Sequence, residues 1–452
     1  MATISLRQAA LWCGGSVDPK YENVTFGGAN IDSRKLQPGQ LFVAVVAARD
    51  GHDFIPAALE NGAAAVLCSR VTGDYPAILV EDTRLALGQI AAGYLQQMGA
   101  TVLGVTGSVG KSTTKEMIAA VLATTYRVSK TPANHNNDLG MPAAVLAMAL
   151  DSQVVVLEMG MSHFGEIQYL SQMAKPDIGV IINIGTMHIE NLGSREGILQ
   201  AKMEITKGMN ENGKLLLYGD DSYLWNSRDT LCIPAEYFGA ENTQCAVRAE
   251  NIRQTQEGIF FTACCPQDTF DVYLPLEGMH YVPDSLAAIS AGLACGVTPE
   301  NIRRGLAGFQ TMEGRQEIFA FQEITVIKDC YNAGPESMDA ALNVLGNRSG
   351  RKIAVLGDML ELGSHSVSAH EKVGERAAQK ADILLCCGPE SLHMCKAALE
   401  AGMKQAFHYE DREKMVCDLL EMAKPGDVLL FKGSRGMKME QILESFMHRR
   451  EK

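Results

Sequence analysis

The chain has 452 residues, too many for one ordinary domain, and its 46% hydrophobic and 21% charged content suits several buried cores. Forty lysines and arginines against 53 aspartates and glutamates leave a net charge of −13. That balance argues against a non-specific nucleic-acid binder or a protein held on an anionic membrane, and leaves room for a local site that takes an anionic nucleotide.

Residues 1–7 open an amphipathic helical pattern without a secretory apolar core, and no run of about 18 apolar residues follows, so no membrane insertion is expected. The twelve cysteines include no C-x-x-C spacing, which excludes zinc-ribbon and thioredoxin-type motifs and fits a reducing cytoplasm. Leu6, Ala9, Ala10 and Cys13 share one helical face, ended by Gly14-Gly15. Residues 41–46, 64–68 and 77–80 read as short strands and 54–61 as a helix, together a small α/β module over 1–82. Two polar clusters, Asp32-Ser33-Arg34 and Arg49-Asp50-Gly51-His52-Asp53-Phe54, lie at the ends of apolar segments. Loops there carry binding groups, and the same residue types also form ordinary turns.

A central segment, 83–312, is organised around Thr106-Gly107-Ser108-Val109-Gly110-Lys111-Ser112-Thr113. Residues 101–105 before it suit one buried strand. After it, Met117, Ile118, Val121 and Leu122 recur at helical spacing. In that context glycines turn backbone N–H groups around phosphate oxygens and the helix N-terminus adds partial positive charge. Lys111 would reach the β/γ-phosphates and Ser112 would ligate Mg²⁺. Val105 stands where the general pattern has its first glycine, with Gly104 one place early. A glycine turn carrying a chance Gly-Lys-Ser is the plainer alternative. The amide-rich stretch 130–142, with Asn134 and Asn137, is a loop or a polar recognition surface. Residues 154–157 read as a buried parallel strand with Glu158 at its C-terminal end, where doubly wound sheets bind ligands. Residues 177–184 give another strand, and His188 beyond it is a ligand, an acid–base group or a structural histidine. Residues 197–209 follow a helical pattern in which Lys202 lies among apolar and small residues. That setting is costly for a charge unless the lysine snorkels or its charge is altered. The region 220–275 suggests β-hairpins, and Gly278-Met279-His280 leads into a helix over 285–292.

In the last segment, 313–452, strands at 325–329, 352–358, 382–388 and 427–432 alternate with helices, implying a parallel sheet of Rossmann type without G-x-G-x-x-G. Arg315 and Asp329 fall near its entrance, placed to meet a nucleotide held by the central segment.

Taken together, these motifs resemble the Mur ligase family along the whole chain: Asp32-Ser33-Arg34, the 50–54 cluster, the phosphate loop, residues 134–142, Glu158, His188, 201–205, 329–338, 357–363 and 432–440. The resemblance implies three α/β domains: a small N-terminal domain for a UDP-sugar peptide, a central P-loop mononucleotide-binding domain for ATP, and a C-terminal Rossmann-like domain for the incoming amine. It implies a cytoplasmic, monomeric ligase of peptidoglycan precursor synthesis that adds D-alanyl-D-alanine to UDP-N-acetylmuramoyl-tripeptide through an acyl phosphate. By the same resemblance, Lys111, Glu158, His188 and Lys202 serve catalysis; Gly107 to Thr113, Asp284, Arg315 and Asp329 bind ATP; and Ser33, Arg34, Asn134 and Asn137 contact the UDP-sugar. Ser112 and Glu158 would hold one Mg²⁺, with His188 and a carbamylated Lys202 at a second. Asp284, Lys328 and Gly334 depart from residues usual in the family. A sibling amino-acid ligase and a P-loop regulatory protein remain the alternatives. The Asp-Asn-Pro-Arg signature expected of the sibling that adds the third residue is missing.

Overall fold

The computed structural model describes residues 3–451. Met1, Ala2 and Lys452, which include the start of the expected N-terminal helical pattern, lie outside it. Ile4–Ser5 pairs antiparallel with Thr25–Phe26, so helix α1 (Leu6–Cys13) starts only at Leu6, where the Ser5 side chain accepts the N–H of Gln8. Gly14 ends it in the left-handed region, as the Gly14-Gly15 pair implies. Four short parallel strands in chain order, β1 (Ala29–Asn30), β2 (Leu41–Val43), β3 (Ala65–Cys68) and β4 (Ala77–Leu79), make the N-terminal sheet. The strand expected over 41–46 stops at Val43, because the next residues turn back: the N–H of Gly51 donates to the Val45 carbonyl.

Helix α2 (Thr83–Met98) leads into a nine-stranded sheet: β5 (Thr101–Thr106), β6 (Val128–Lys130), β7 (Val154–Glu158), β8 (Ile178–Ile181), β9 (Lys214–Tyr218), β10 (Ala235–Gly239), β11 (Val247–Thr255), β12 (Gly258–Cys264) and β13 (Thr269–Leu274). Its spatial order is β13-β12-β11-β10-β9-β8-β5-β7-β6. The run from β6 to β11 is parallel, and β11 to β13 form the antiparallel hairpins expected at the domain edge. Strand β5 lies between β7 and β8, with Val105 opposite Glu158 and Thr106 opposite Ile181. The three carboxyl ends are therefore level, and the chain leaves them at a topological switch point. Helix α3 (Lys111–Leu122) follows β5 and packs against α5 (Tyr281–Ala294). The latter begins four residues before its expected start, since Pro283 falls in the first turn, where its missing N–H costs nothing. The helix expected over 197–209 is α4 (Arg195–Met203) tightening into a 3-10 turn, Glu204–Lys207.

The last sheet comprises β14 (Glu317–Phe321), β15 (Ile324–Asp329), β16 (Lys352–Gly357), β17 (Ile383–Cys387), β18 (Ala406–Tyr409) and β19 (Val428–Lys432), ordered β14-β15-β19-β16-β17-β18. Five strands are parallel, and β14 adds an antiparallel edge that the sequence reading lacked. Helices α6 (Pro335–Gly346) and α7 (Ser366–Lys380) follow β15 and β16. The architecture is α/β throughout, in three domains.

The cores divide unevenly. One apolar cluster runs without a break from Leu6 and Ala9 through Leu87 and Ile90 of α2 to Val155, Leu157 and Ile181 of the central sheet. A second fills the other face under α3 and α5. The C-terminal sheet has two clusters of its own. Among the described residues no helix is long and apolar enough to cross a membrane.

Candidate active site

The phosphate loop is assembled before any ligand arrives. Gly110 sits at φ +87°, and a Cβ there would stand 2.7 Å from Asp284 Oδ1, so only glycine fits. Val105 is buried toward α3, while a Cβ at Gly104 would stand 3.0 Å from Met159 Cε and 3.2 Å from Ile205 Cδ1, a tight fit. Asn183, just past β8, accepts the N–H groups of Ser108 and Val109 through Oδ1 at 2.9 and 3.0 Å and donates Nδ2 to the Val109 carbonyl at 2.9 Å. Ser108 Oγ accepts the Gly185 N–H. Lys111 folds back, donating Nζ to the carbonyls of Gly107 (2.9 Å) and Ser108 (3.1 Å), and burial lowers its pKa from the usual lysine value. No side chain caps α3, so its first N–H groups are left for an anion.

Glu158 is 2% exposed. Its Oε1 accepts Asn136 Nδ2 at 2.9 Å, its backbone N–H donates to Thr131 Oγ1, and its Oε2 is buried without a hydrogen bond. Ser112 Oγ accepts Arg315 Nη2 at 2.9 Å, and the Arg315 guanidinium stacks 3.9 Å above the Tyr331 ring. Asp329 accepts Lys432 Nζ at 2.5 Å. Asp284 is buried on α5, its Oδ1 accepting Thr114 Oγ1 at 2.7 Å, and burial pushes its carboxyl up to about 7.

His188 is held at φ +62°, and burial lowers its pKa to about 4, with help from the charges of Lys111 and Lys202. Its imidazole is therefore neutral near pH 7. Nδ1 lies 3.0 Å from Glu361 Oε2 of the C-terminal domain without hydrogen-bond alignment. Lys202 is 2% exposed, and among the described residues it has no carboxylate partner. Burial, then the Lys111 charge, drives its pKa well below the usual lysine value. The snorkelling alternative does not hold for this side chain.

A cavity of about 590 Å³ lies between the central and C-terminal domains, and Lys202 is buried outside its lining. Ser108 to Thr113, Asn134, Asn137, Glu158, His188, Asp284, Arg315 and Asp329 line it. Ser33 and Arg34 do not: Ser33 is buried in the N-terminal domain and Arg34 is exposed, paired with Asp32 at 2.8 Å. The second polar cluster is a structural turn. His52 is buried, with Nδ1 2.6 Å from Asp50 Oδ1 and Nε2 accepting the Ser69 N–H. Lys328 faces Glu317 at 3.6 Å, and Gly334 abuts the Met187 sulfur of the central domain.

Several site residues escaped the sequence reading. Asn183 and Asn136 brace the loop and Glu158 and carry no motif of their own. Lys115 had a usable signal: it lies one helical turn beyond Lys111, on a face otherwise made of Ile118 and Leu122. Glu336, whose carboxylate accepts both the N–H and the hydroxyl of Thr186 at 2.9 Å, shows its role only across the domain seam.

The donor set suits a nucleotide-bound Mg²⁺. Among the described residues no group of three or more His, Cys, Asp or Glu side chains converges as a protein-only metal site. An unpartnered Glu158 oxygen beside a phosphate loop and the Ser112 hydroxyl is what an ion completed by phosphates and water needs.

Family models match in three consecutive blocks: "Mur ligase family, catalytic domain" over residues 25–95, "Mur ligase middle domain" over 105–292, and "Mur ligase, glutamate ligase domain" over 314–435. The UDP-N-acetylmuramoyl-tripeptide--D-alanyl-D-alanine ligase of Bacillus subtilis is 41% identical, covering 96% of both chains. That of Escherichia coli is 35% identical, covering 94% of both. Among solved structures, MurF from Acinetobacter baumannii superposes with a TM-score of 0.91 at 31% identity over 99% of both chains. MurF ligase from Thermotoga maritima in complex with ADP does so at 0.84 and 32%, over 94% of this chain and 98% of that one. A preformed phosphate loop, a C-terminal domain that reaches across to it, and likeness along the full length agree: the chain belongs to the Mur ligase family.

Proposed function

We propose that the protein is an ATP-dependent ligase that adds D-alanyl-D-alanine to UDP-N-acetylmuramoyl-tripeptide in cytoplasmic peptidoglycan precursor synthesis, acting as a monomer. The observation that carries this reading is the single cavity in which the phosphate loop, Glu158 and His188 of one domain meet Arg315, Asp329 and Lys432 of another. The domains divide at 1–82 for the UDP-sugar peptide, 83–312 for ATP and 313–452 for the dipeptide.

A carboxylate is a poor electrophile, so the peptide's terminal carboxylate first takes the γ-phosphoryl group of ATP. The dipeptide amine then attacks the acyl carbon, phosphate leaves with the C–O bonding pair, and the amine loses a proton as the amide forms. The loop N–H groups from Gly107 to Thr113 and the α3 N-terminus receive the phosphates. Lys111 exchanges its two carbonyl contacts for phosphate oxygens, and Arg315 leaves Ser112 for the nucleotide. Asp329 and Asp284 border the nucleotide, while Ser33, Arg34, Asn134 and Asn137 bind the UDP-sugar as the domains adjust. Mg²⁺, when bound, offsets negative charge on the transferring phosphoryl group. Ser112 and Glu158 would hold one ion, and His188 with a carbamylated Lys202 the second. A buried lysine of lowered pKa has the free lone pair that carbamylation needs: the amine adds to the carbon of CO₂ and releases one proton. Closure of the C-terminal domain keeps water from the acyl phosphate.

The test is phosphate release from ATP with the UDP-peptide and the dipeptide omitted in turn, with product mass measured alongside and ¹³C NMR after ¹³C-bicarbonate. A ligase needs both substrates, gives a product heavier by the dipeptide less water, and shows a carbamate signal absent from Lys202→Ala. Release that ignores the dipeptide would overturn the reading in favour of an ATP-hydrolysing regulator.

A further inference from the structure

Lys115 is the most completely buried cation among the described residues, with 0% of its side chain exposed. A lysine in that position must repay the loss of its hydration. Its Nζ donates to the Thr131 carbonyl at 2.6 Å, lies 3.2 Å from Glu116 Oε1, and stands 3.7 Å from Glu158 Oε2. Glu116 also pairs with Lys130 at the surface. Two lysines thus face two glutamates in a line running from solvent into the site. Glu116 is shared between both cations. Among the described residues Lys115 is the one cation within 4 Å of Glu158, and the Lys111 charge also acts on that carboxylate.

The surroundings of Glu158 are arranged around one free oxygen. Asn136 fixes Oε1, the Thr131 hydroxyl fixes the backbone, and the Thr131 carbonyl is held in turn by Lys115. Oε2 is buried without a hydrogen bond, and Glu158 lines the cavity together with Ser112. We infer that Lys115 is a positioning residue for this site: it anchors the Thr131 loop and balances the buried Glu158 carboxylate from 3.7 Å off Oε2, beyond hydrogen-bond distance, which leaves that oxygen able to take a divalent cation brought by the nucleotide. At direct hydrogen-bond distance the lysine would compete with the ion for that oxygen. Without the lysine, Glu158 would lose its nearest counter-charge and the Thr131 carbonyl its tie. The inference rests on Glu158 being a metal ligand, as proposed above.

The experiment measures Mn²⁺ binding to the enzyme–ADP complex by electron paramagnetic resonance and metal-free ADP binding by calorimetry. The proteins are full-length wild type, Lys115→Met, Lys115→Arg, Glu158→Gln and the Lys115→Met/Glu158→Gln pair. Outer partners of metal ligands typically contribute about 10- to 100-fold in metal affinity. Lys115→Met should lose about tenfold or more in Mn²⁺ affinity while metal-free ADP binding stays within about twofold, and Lys115→Arg should recover part of the loss. The double variant should bind Mn²⁺ no worse than Glu158→Gln alone. It also removes both buried charges together, which keeps the test open if Lys115→Met alone folds poorly. Wild-type Mn²⁺ affinity in Lys115→Met, or strictly additive losses in the pair, would overturn the inference and leave Lys115 a structural tie. Wild-type affinity in Glu158→Gln would instead refute the metal assignment itself.

Discussion

Asp284 illustrates how a single buried group ties stability to pH. Burial raises its carboxyl to about 7, so the folded protein keeps a proton that the unfolded chain, with an ordinary value of about 3.9, releases earlier. The stability it contributes is fully present below about pH 4 and is lost as pH rises through about 7. Asp284→Asn keeps an oxygen for Thr114 and removes the titration. Above pH 7 the variant should be more stable by about 1–3 kcal/mol, and its difference from wild type should shrink toward pH 4. Thermal melts across pH 4–8 check this, and a difference that does not change with pH would rule out the buried carboxyl as its source. The sequence marks Asp284 as unusual for the family but says nothing of Thr114 or Gly110 against it. Those neighbours come from α3 packing on α5, a contact between residues 170 positions apart.

At the scale of the element, the phosphate loop was legible because its parts are local. A strand, a glycine turn and an amphipathic helix follow one another, and each has a periodicity or a conformational requirement of its own. The brace that holds the loop was not legible, since Asn183 arrives from the next parallel strand and an asparagine at a strand end has no distinguishing spacing. Asn183→Ala removes acceptors from two loop N–H groups and a donor from the Val109 carbonyl. ADP affinity should fall about tenfold, or ~1.4 kcal/mol, as the loop loses its preformed shape. Calorimetric titration with ADP measures the loss, and unchanged affinity would mean that β5 and α3 alone shape the loop. The start of helix α5 is a smaller miss: it begins at Tyr281 and not at 285, because Pro283 is accommodated in its first turn.

For the whole molecule, the distribution of apolar surface decides which parts move together. The N-terminal and central domains share one continuous core, whereas the C-terminal domain is cored separately and meets the central one largely through polar contacts. Those contacts include Arg315 on Ser112, Tyr331 on Asn134, Glu336 on Thr186, and Arg348 paired with Glu277. A polar seam of this kind can open and close at little hydrophobic cost. Glu336→Ala strips the acceptor from Thr186, so the C-terminal domain should sit further open in solution. The radius of gyration by small-angle scattering should rise, and kcat should fall about 10- to 100-fold with little change in ADP affinity. An unaltered scattering profile together with unaltered kcat would show that Glu336 does not hold the seam.

The sequence by itself determined the α/β class, the three segments, the phosphate loop and the strand-end placement of Glu158, because each depends on patterns within a few tens of residues. It also flagged Lys202 through the cost of a charge among apolar neighbours. Only the tertiary structure decided that Lys202 is buried, that His52 is a turn residue, that Arg34 does not line the cavity, and that Asn183, Lys115 and Glu336 belong with the site. Each of those facts is a contact between segments distant in the chain, and burial and hydrogen bonding at such contacts are set by packing, which local periodicity does not encode.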